Sequence, residues 1–203
     1  MNAPDWLVDR MTKDIKPKLR DVMCNGRAAA TGVMKAPVFS YKLKSGKQDI
    51  FQKACRIIVA DNRGDIKRDH GNVWDSGFIQ TTRTVMHRYA GSELESCRLY
   101  FFKIISVTTD GTAVSSIMTF ETGMIDPLLW KAKWIGGDSF LRKSFMISKE
   151  IKYASVHCTG LGYYELYLNG SIVSDQTLSP SFVDYDSFAE YQSFNIKIGR
   201  AHV

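Results

Sequence analysis

Thr159-Gly160-Leu161-Gly162-Tyr163-Tyr164-Glu165-Leu166-Tyr167-Leu168-Asn169-Gly170 decides how this chain is read. Asn-Gly flanked by alternating apolar residues is a strong hairpin signal, because both central residues of a type I′ turn need positive φ. The return strand is Ser171-Ile172-Val173-Ser174-Asp175. Side chains alternate across a strand, so Tyr164, Leu166 and Leu168 share one face and Tyr163, Glu165, Tyr167 and Asn169 the other. The first set reads as core, the second as a half-polar surface carrying two tyrosines.

Upstream, the text is strand-like from Asp21 onward. Val38 to Leu43 alternates, Ala54 to Ala60 is apolar and partly β-branched, and Asp61-Asn62-Arg63-Gly64-Asp65 reads as a turn. Val73 to Gly77, Thr81 to Tyr89, Leu99 to Val107 and Val114 to Phe120 follow, with a turn at Asp110-Gly111. Short strands separated by turn signals predict a β-sandwich. Leu94 lies six residues before Tyr100, which opens an alternating strand. That spacing resembles the tyrosine corner of fibronectin type III domains, where the ring packs in the core and the hydroxyl reaches back to the chain. A boundary is expected near Glu121 to Pro127. Beyond it Phe140 to Ile147 and Ile151 to Cys158 read as strands leading into the hairpin. Pro4 to Ile15 reads as a short helix, with Asp5 as N-cap and Pro17 as its stop.

Composition sets limits. The 203 residues are 44% hydrophobic and 24% charged, which suits a globular protein with a sizeable core. No apolar run approaches the ~18–20 residues of a membrane span, so no membrane partner is expected. Asp5, Asp9, Arg10, Lys13 and Asp14 stand where a signal peptide would be apolar, which predicts a cytoplasmic location. Four cysteines (Cys24, Cys55, Cys97, Cys158) form no C-x-x-C pair and have no histidine at ligand spacing, so no metal and no cofactor is expected. The net charge of +6 gathers at Lys13 to Arg20 and Lys42 to Lys47. Without an accompanying nucleic-acid-binding motif these clusters read as solvated faces, and no nucleic-acid partner is expected.

Pro37 to Leu43, Val73-Trp74-Asp75-Ser76-Gly77, Tyr89-Ala90-Gly91, Phe120-Glu121-Thr122-Gly123, Trp130 to Ile135, Gly160 to Gly170 and Leu178-Ser179-Pro180 before Tyr185 occur in a telling order. Their sequence resembles the start of bacterial α-L-rhamnosidases over roughly Val22 to Phe194. The resemblance implies an all-β chain, a fibronectin type III-like sandwich followed by an incomplete jelly-roll-like β-sandwich. Residues 1–20 are then a leader, 21–125 the first sandwich, and 126–197 the start of the second. Ile198 to Val203 reads as a translated sequencing adaptor, so native text is expected to stop near Lys197, and His202 takes no role. The family's catalytic carboxylates lie in a helical barrel that would follow this chain. No catalytic residue is therefore expected here, and the missing carboxy-terminal catalytic domain is the implied partner. The implied parent enzyme removes terminal α-L-rhamnose from a rhamnose-containing glycoside or polysaccharide by inverting hydrolysis, while this region alone is expected to be inactive. The usual proline after the early Asn-Gly-Arg is replaced within Ala28-Ala29-Ala30.

Rival readings attach to particular residues. Tyr163, Tyr167 and Glu165 are candidates for carbohydrate contact, since sugar rings stack on exposed aromatics; cover by a neighbouring domain is the other reading of the two tyrosines. Trp130 and Trp134 are expected in inter-domain packing. Glu165, Asp184, Asp186 and Glu190 form the one acidic cluster near a plausible pocket, and they also read as strand-surface and turn residues. Arg63-Gly64-Asp65 suggests an adhesion module, although Asn62 to Asp65 is equally ordinary turn chemistry. His87 and His157 lie in strands without an adjacent serine or cysteine nucleophile, so no triad is expected.

Overall fold

A computed structural model of the chain describes residues 16–137, 140–148, 150–151 and 153–196. The expected helix at Pro4 to Ile15 and the tail Ile198 to Val203, with His202, lie outside the described residues. The chain divides into two compact units, the first ending at Ile125 and the second beginning at Asp126.

Two long strands, β4 (Gln52–Ala60) and β8 (Leu99–Thr108), organise the first unit and pair antiparallel from Gln52 opposite Thr108 to Ala60 opposite Phe101. β10 (Met118–Thr122) joins β8, and β2 (Ala29–Val33) joins β10 in parallel. On the far side β5 (Trp74–Asp75) and β6 (Ile79–Gln80) pair with β4, while β9 (Gly111–Val114) pairs with β8. The opposing sheet is three-stranded, with β3 (Val38–Lys44) between β1 (Lys18–Cys24) and β7 (His87–Arg88). The fold class is thus the expected all-β one, with its sandwich at the amino-terminal end.

Strand alternation explains the core. Cys55, Ile57 and Val59 of β4 meet Phe102 and Ile104 of β8, Phe39 and Tyr41 of β3, and Phe120 of β10. The ring centroids of Phe39 and Phe102 are 4.8 Å apart, and those of Tyr100 and Phe120 are 5.4 Å apart. Each such side chain contributes about 1.5–3 kcal/mol by leaving water. The other face of β4 is also covered, because Ile58 and Ala60 pack with Ile105 and with Ile66 of α1 (Arg63–Lys67). The stretch read as a turn at Asp61 to Asp65 therefore starts a one-turn helix. Asn62 caps it, its Oδ1 accepting from the Asp65 amide at 2.9 Å. Asp65 is bound into that cap and also faces Arg68 at 2.6 Å, so the Arg63-Gly64-Asp65 of the adhesion reading is cap chemistry here.

The tyrosine corner is present: the Glu95 amide donates to the Tyr100 hydroxyl at 2.9 Å, and Leu94 is buried beside it. Thr81 to Tyr89 is not the continuous strand the alternation predicts. Within it only β7 enters a ladder, because the Gln52 amide group draws the preceding backbone inward, donating to the Arg83 carbonyl at 2.7 Å and the Thr81 carbonyl at 3.2 Å. The Tyr41 and Ser106 hydroxyls both donate to Gln52 Oε1, at 2.7 and 2.6 Å, so this buried polar cluster is well satisfied.

In the second unit β11 (Ser155–Thr159) pairs antiparallel with β14 (Tyr191–Asn195), and β12 (Tyr167–Leu168) with β13 (Ser171–Ile172). Phe140 to Ile147 is not a strand: none of its described backbone enters a ladder, and Phe140 and Met146 are 94% and 99% exposed. Trp130 packs within its own unit, 5.6 Å from the ring of Tyr191, whereas Trp134 is exposed.

Candidate functional site

The hairpin and the loop that follows it carry the candidate residues. Asn169 (φ 48°) and Gly170 (φ 77°) take the two positive-φ positions, as a type I′ turn requires, and set Tyr167 opposite Ile172. The strand alternation holds beyond the paired residues: Tyr164, Leu166 and Leu168 are half-buried, and Tyr163, Glu165, Tyr167 and Asn169 are exposed. No member of the expected core set is fully covered, since two short two-stranded ladders supply too little surface for it.

Glu165 and Tyr167 act as a pair. The Tyr167 hydroxyl donates to Glu165 Oε2 at 2.8 Å, and the carboxylate it faces pushes the phenol above its ordinary value. Tyr163 belongs to a separate group. Its ring lies 6.0 Å from that of Phe182, which lies 5.4 Å from Tyr185, and the Tyr185 hydroxyl accepts from the Gly162 amide at 2.9 Å. The structure thus divides the three predicted contact residues between two neighbouring clusters. The placing of Phe182 and Tyr185 beside Tyr163 escaped the sequence reading because they sit in an aperiodic loop after the cis Ser179–Pro180 bond. Of the acidic cluster, Asp184 closes its own turn, accepting from the Ser187 hydroxyl at 2.7 Å and the Asp186 amide at 3.3 Å.

His157 departs from expectation. Strand pairing places Ser193 opposite it, with 2.8 Å between Nδ1 and the hydroxyl, and Ser155 Oγ lies 3.4 Å from Nε2. A serine neighbour therefore exists, brought from 36 residues away by the β11–β14 ladder. With hydroxyls at both ring nitrogens and the edge of Tyr191 at 6.1 Å, the imidazole acts as a cross-strand bridge. His87, in the first unit, stacks on Tyr41 at 5.7 Å and faces the Arg83 carbonyl through Nε2 at 3.0 Å, and its burial lowers its pKa. Among the described residues no group of three His, Cys, Asp or Glu side chains converges as a metal site.

The motifs of the first unit are structural. Asp75 receives Arg56 through two bonds, at 2.9 and 2.5 Å, and caps the turn at the Gly77 amide. The guanidinium holds the Asp75 carboxyl below the usual carboxylate range. A Cβ on Gly91 would come within 2.5 Å of the Tyr89 hydroxyl and 2.6 Å of Trp74 Cβ, so only glycine fits that corner. Thr122 Oγ1 donates to the Glu95 carbonyl at 2.6 Å and accepts from the Arg98 amide at 2.9 Å, tying β10 to the tyrosine corner.

The family described as Rha78A-like, N-terminal immunoglobulin domain, matches residues 19–126, more than half of the chain. This chain belongs to that family. A second description, alpha-L-rhamnosidase N-terminal domain, matches residues 149–198. An alpha-L-rhamnosidase of Formosa agariphila is 27% identical over 193 residues, covering 79% of this chain and 20% of the relative. One from Streptomyces avermitilis is 30% identical over 110 residues, covering 53% of this chain and 10% of the relative. Among solved structures, the alpha-L-rhamnosidase of Dictyoglumus thermophilum superposes with a TM-score of 0.79 at 33% identity, over 88% of this chain and 23% of that one. That of Aspergillus terreus, at 20% identity and a TM-score of 0.69 over 89% of this chain and 22% of its own, shares the fold. The chain spans about a fifth of the length of the curated relatives it matches first, at their amino-terminal domains.

Proposed function

We propose that this chain serves as the non-catalytic amino-terminal scaffold of a glycoside hydrolase that removes terminal α-L-rhamnose from rhamnosides. The ordered pair of family matches, a sandwich at 19–126 and then a rhamnosidase amino-terminal domain at 149–198, carries the reading. Inverting hydrolysis needs two carboxyl groups about 6.5–9.5 Å apart with a water between them. Two of the four acids near the hairpin are otherwise engaged, Glu165 with Tyr167 and Asp184 with its own turn, which supports hydrolysis by a partner domain. The test is turnover of an aryl α-L-rhamnoside: none by this chain alone, and turnover by the polypeptide joined to a helical barrel. Release of the aryl group by the isolated chain would overturn the proposal. We also place the protein in a reducing compartment such as the cytoplasm, a reading supported by four unpaired cysteines.

A second reading, direct sugar contact by the second unit, is favoured by the 56% exposure of Tyr163 and 55% exposure of Tyr167. Titration with L-rhamnose, followed by tyrosine fluorescence, tests it. Tyr163→Ala and Tyr167→Ala should each weaken any saturable change, and a response unaltered in both variants removes these residues from the contact.

A further inference from the structure

Of the two basic clusters seen in sequence, Lys13 to Arg20 and Lys42 to Lys47, the pairing of β1 with β3 brings Lys18 and Arg20 together with Lys42 and Lys44. Lys18 lies opposite Lys44 and Arg20 opposite Lys42. Leu19 and Leu43, opposite each other, alternate with these cations, and Leu19 packs on the core, so all four basic side chains leave the sheet on its outer face. On the third strand Arg88 pairs with Val38 and shares that face, while its neighbour His87 stacks inward on Tyr41. Arg20, Lys42, Lys44 and Arg88 are exposed. Asp21, at the irregularity in β1, offsets one charge by its 2.7 Å ion pair with Lys42. Among the described residues Arg20, Lys44 and Arg88 enter no ion pair.

Like charges set directly opposite one another across two strands weaken a sheet. Here two such rows are adjacent, on an exposed face whose remaining outward strand positions are Met23, Val38 and Ser40. We propose that the outer face of the β1–β3–β7 sheet is a docking surface for an acidic polysaccharide, a polymer of uronic-acid residues. Its cations repeat at about 5 Å across the strands and about 7 Å along them, the scale of a single sugar residue. The surface offers no aromatic among these positions to stack a base, and as a sheet face presents no helix to enter a groove, which disfavours nucleic acid. Choosing a polysaccharide rests on the rhamnosidase reading; the charge complementarity does not. The surface would hold a polymeric substrate near the parent enzyme while leaving the cleavage chemistry to another domain.

Affinity electrophoresis of the 203-residue chain through gels containing polygalacturonate, with neutral dextran as reference, tests this. Polygalacturonate contains no rhamnose, so the result is independent of the hydrolase assay. Retardation by polygalacturonate alone is expected, weakening about tenfold between about 50 and 200 mM salt through counterion release. Arg20→Glu combined with Lys44→Glu should abolish it. Both substitutions replace like-charge rows with opposite-charge rows, so the melting temperature should hold or rise and loss of binding cannot be put down to unfolding. Arg63→Glu with Lys67→Glu makes the same charge change on α1 and should retain binding. Absence of retardation, equal retardation of the R20E/K44E variant, equal loss in the α1 variant, or tighter retention by DNA at matched charge would each overturn the proposal.

Discussion

The two units of this chain spend similar residues differently. In the first, Phe39, Phe102 and Ile57 are fully buried between sheets, and the buried Gln52 is bonded by Tyr41 and Ser106. In the second, every residue of β11 is only half-buried, and Phe140, Phe145, Met146 and Phe182 face outward. Aromatic and aliphatic content alone therefore does not make a core. What separates them is strand pairing: β4 is laddered along most of its length to β8 and carries β5 and β6 on its other edge, whereas β11 has only β14 beside it among the described residues. A two-stranded ladder is marginal without something packed on its face.

The contrast can be broken most directly at its strongest point. Phe102→Ala removes a ring in contact with Phe39 and Phe120 and should cost about 3–5 kcal/mol, read as a fall in the urea midpoint. A loss below about 1 kcal/mol would mean that the sandwich is not the cooperative core described. Tyr100→Phe keeps the ring but strands the Glu95 amide, for an expected loss of about 1–2 kcal/mol. Acid gives a smaller effect. Asp75 has its pKa lowered by Arg56, so its stabilisation is complete above the unfolded carboxylate value of about 4 and disappears as pH falls through the lower folded value. Asp75→Asn should accordingly flatten the decline of the melting temperature below about pH 4, by an amount that solvent screening keeps modest. Met146→Ser, at a fully exposed position of the second unit, should change stability by less than about 0.5 kcal/mol. A larger loss would reveal cover on that surface and erase the contrast.

Features governed by neighbours in sequence were legible. The Leu94–Tyr100 spacing predicted a corner that forms, and Asn169-Gly170 predicted the turn and the faces on either side of it. Long-range pairing was less accessible. The meeting of His157 with Ser193, the parallel placement of β2 on β10, and the convergence of two basic clusters depend on which strands become neighbours, which periodicity does not encode. α1 is too short to register a 3.6-residue repeat, and its cap resembles a turn. Phe140 to Ile147 has strand composition without a partner strand among the described residues, and a strand is defined by its pairing. At the candidate site the alternation of Tyr163, Glu165 and Tyr167 was readable, while Phe182 joins them through an irregular loop that leaves no pattern.

The thiols turn the contrast into a clock. Cys24 has no exposed surface, and burial pushes its pKa up to about 12, so at neutral pH it offers an alkylating reagent almost no thiolate and no path to it. Modification of Cys24 must wait for the sandwich to open, and its rate at saturating reagent counts those openings. Cys158 of the second unit is only partly covered, its thiol donating to the Tyr164 hydroxyl at 2.8 Å, and it should react before Cys24. Against the faster labelling of Cys158, the lag at Cys24 would time the opening of the first unit without adding a probe to the molecule.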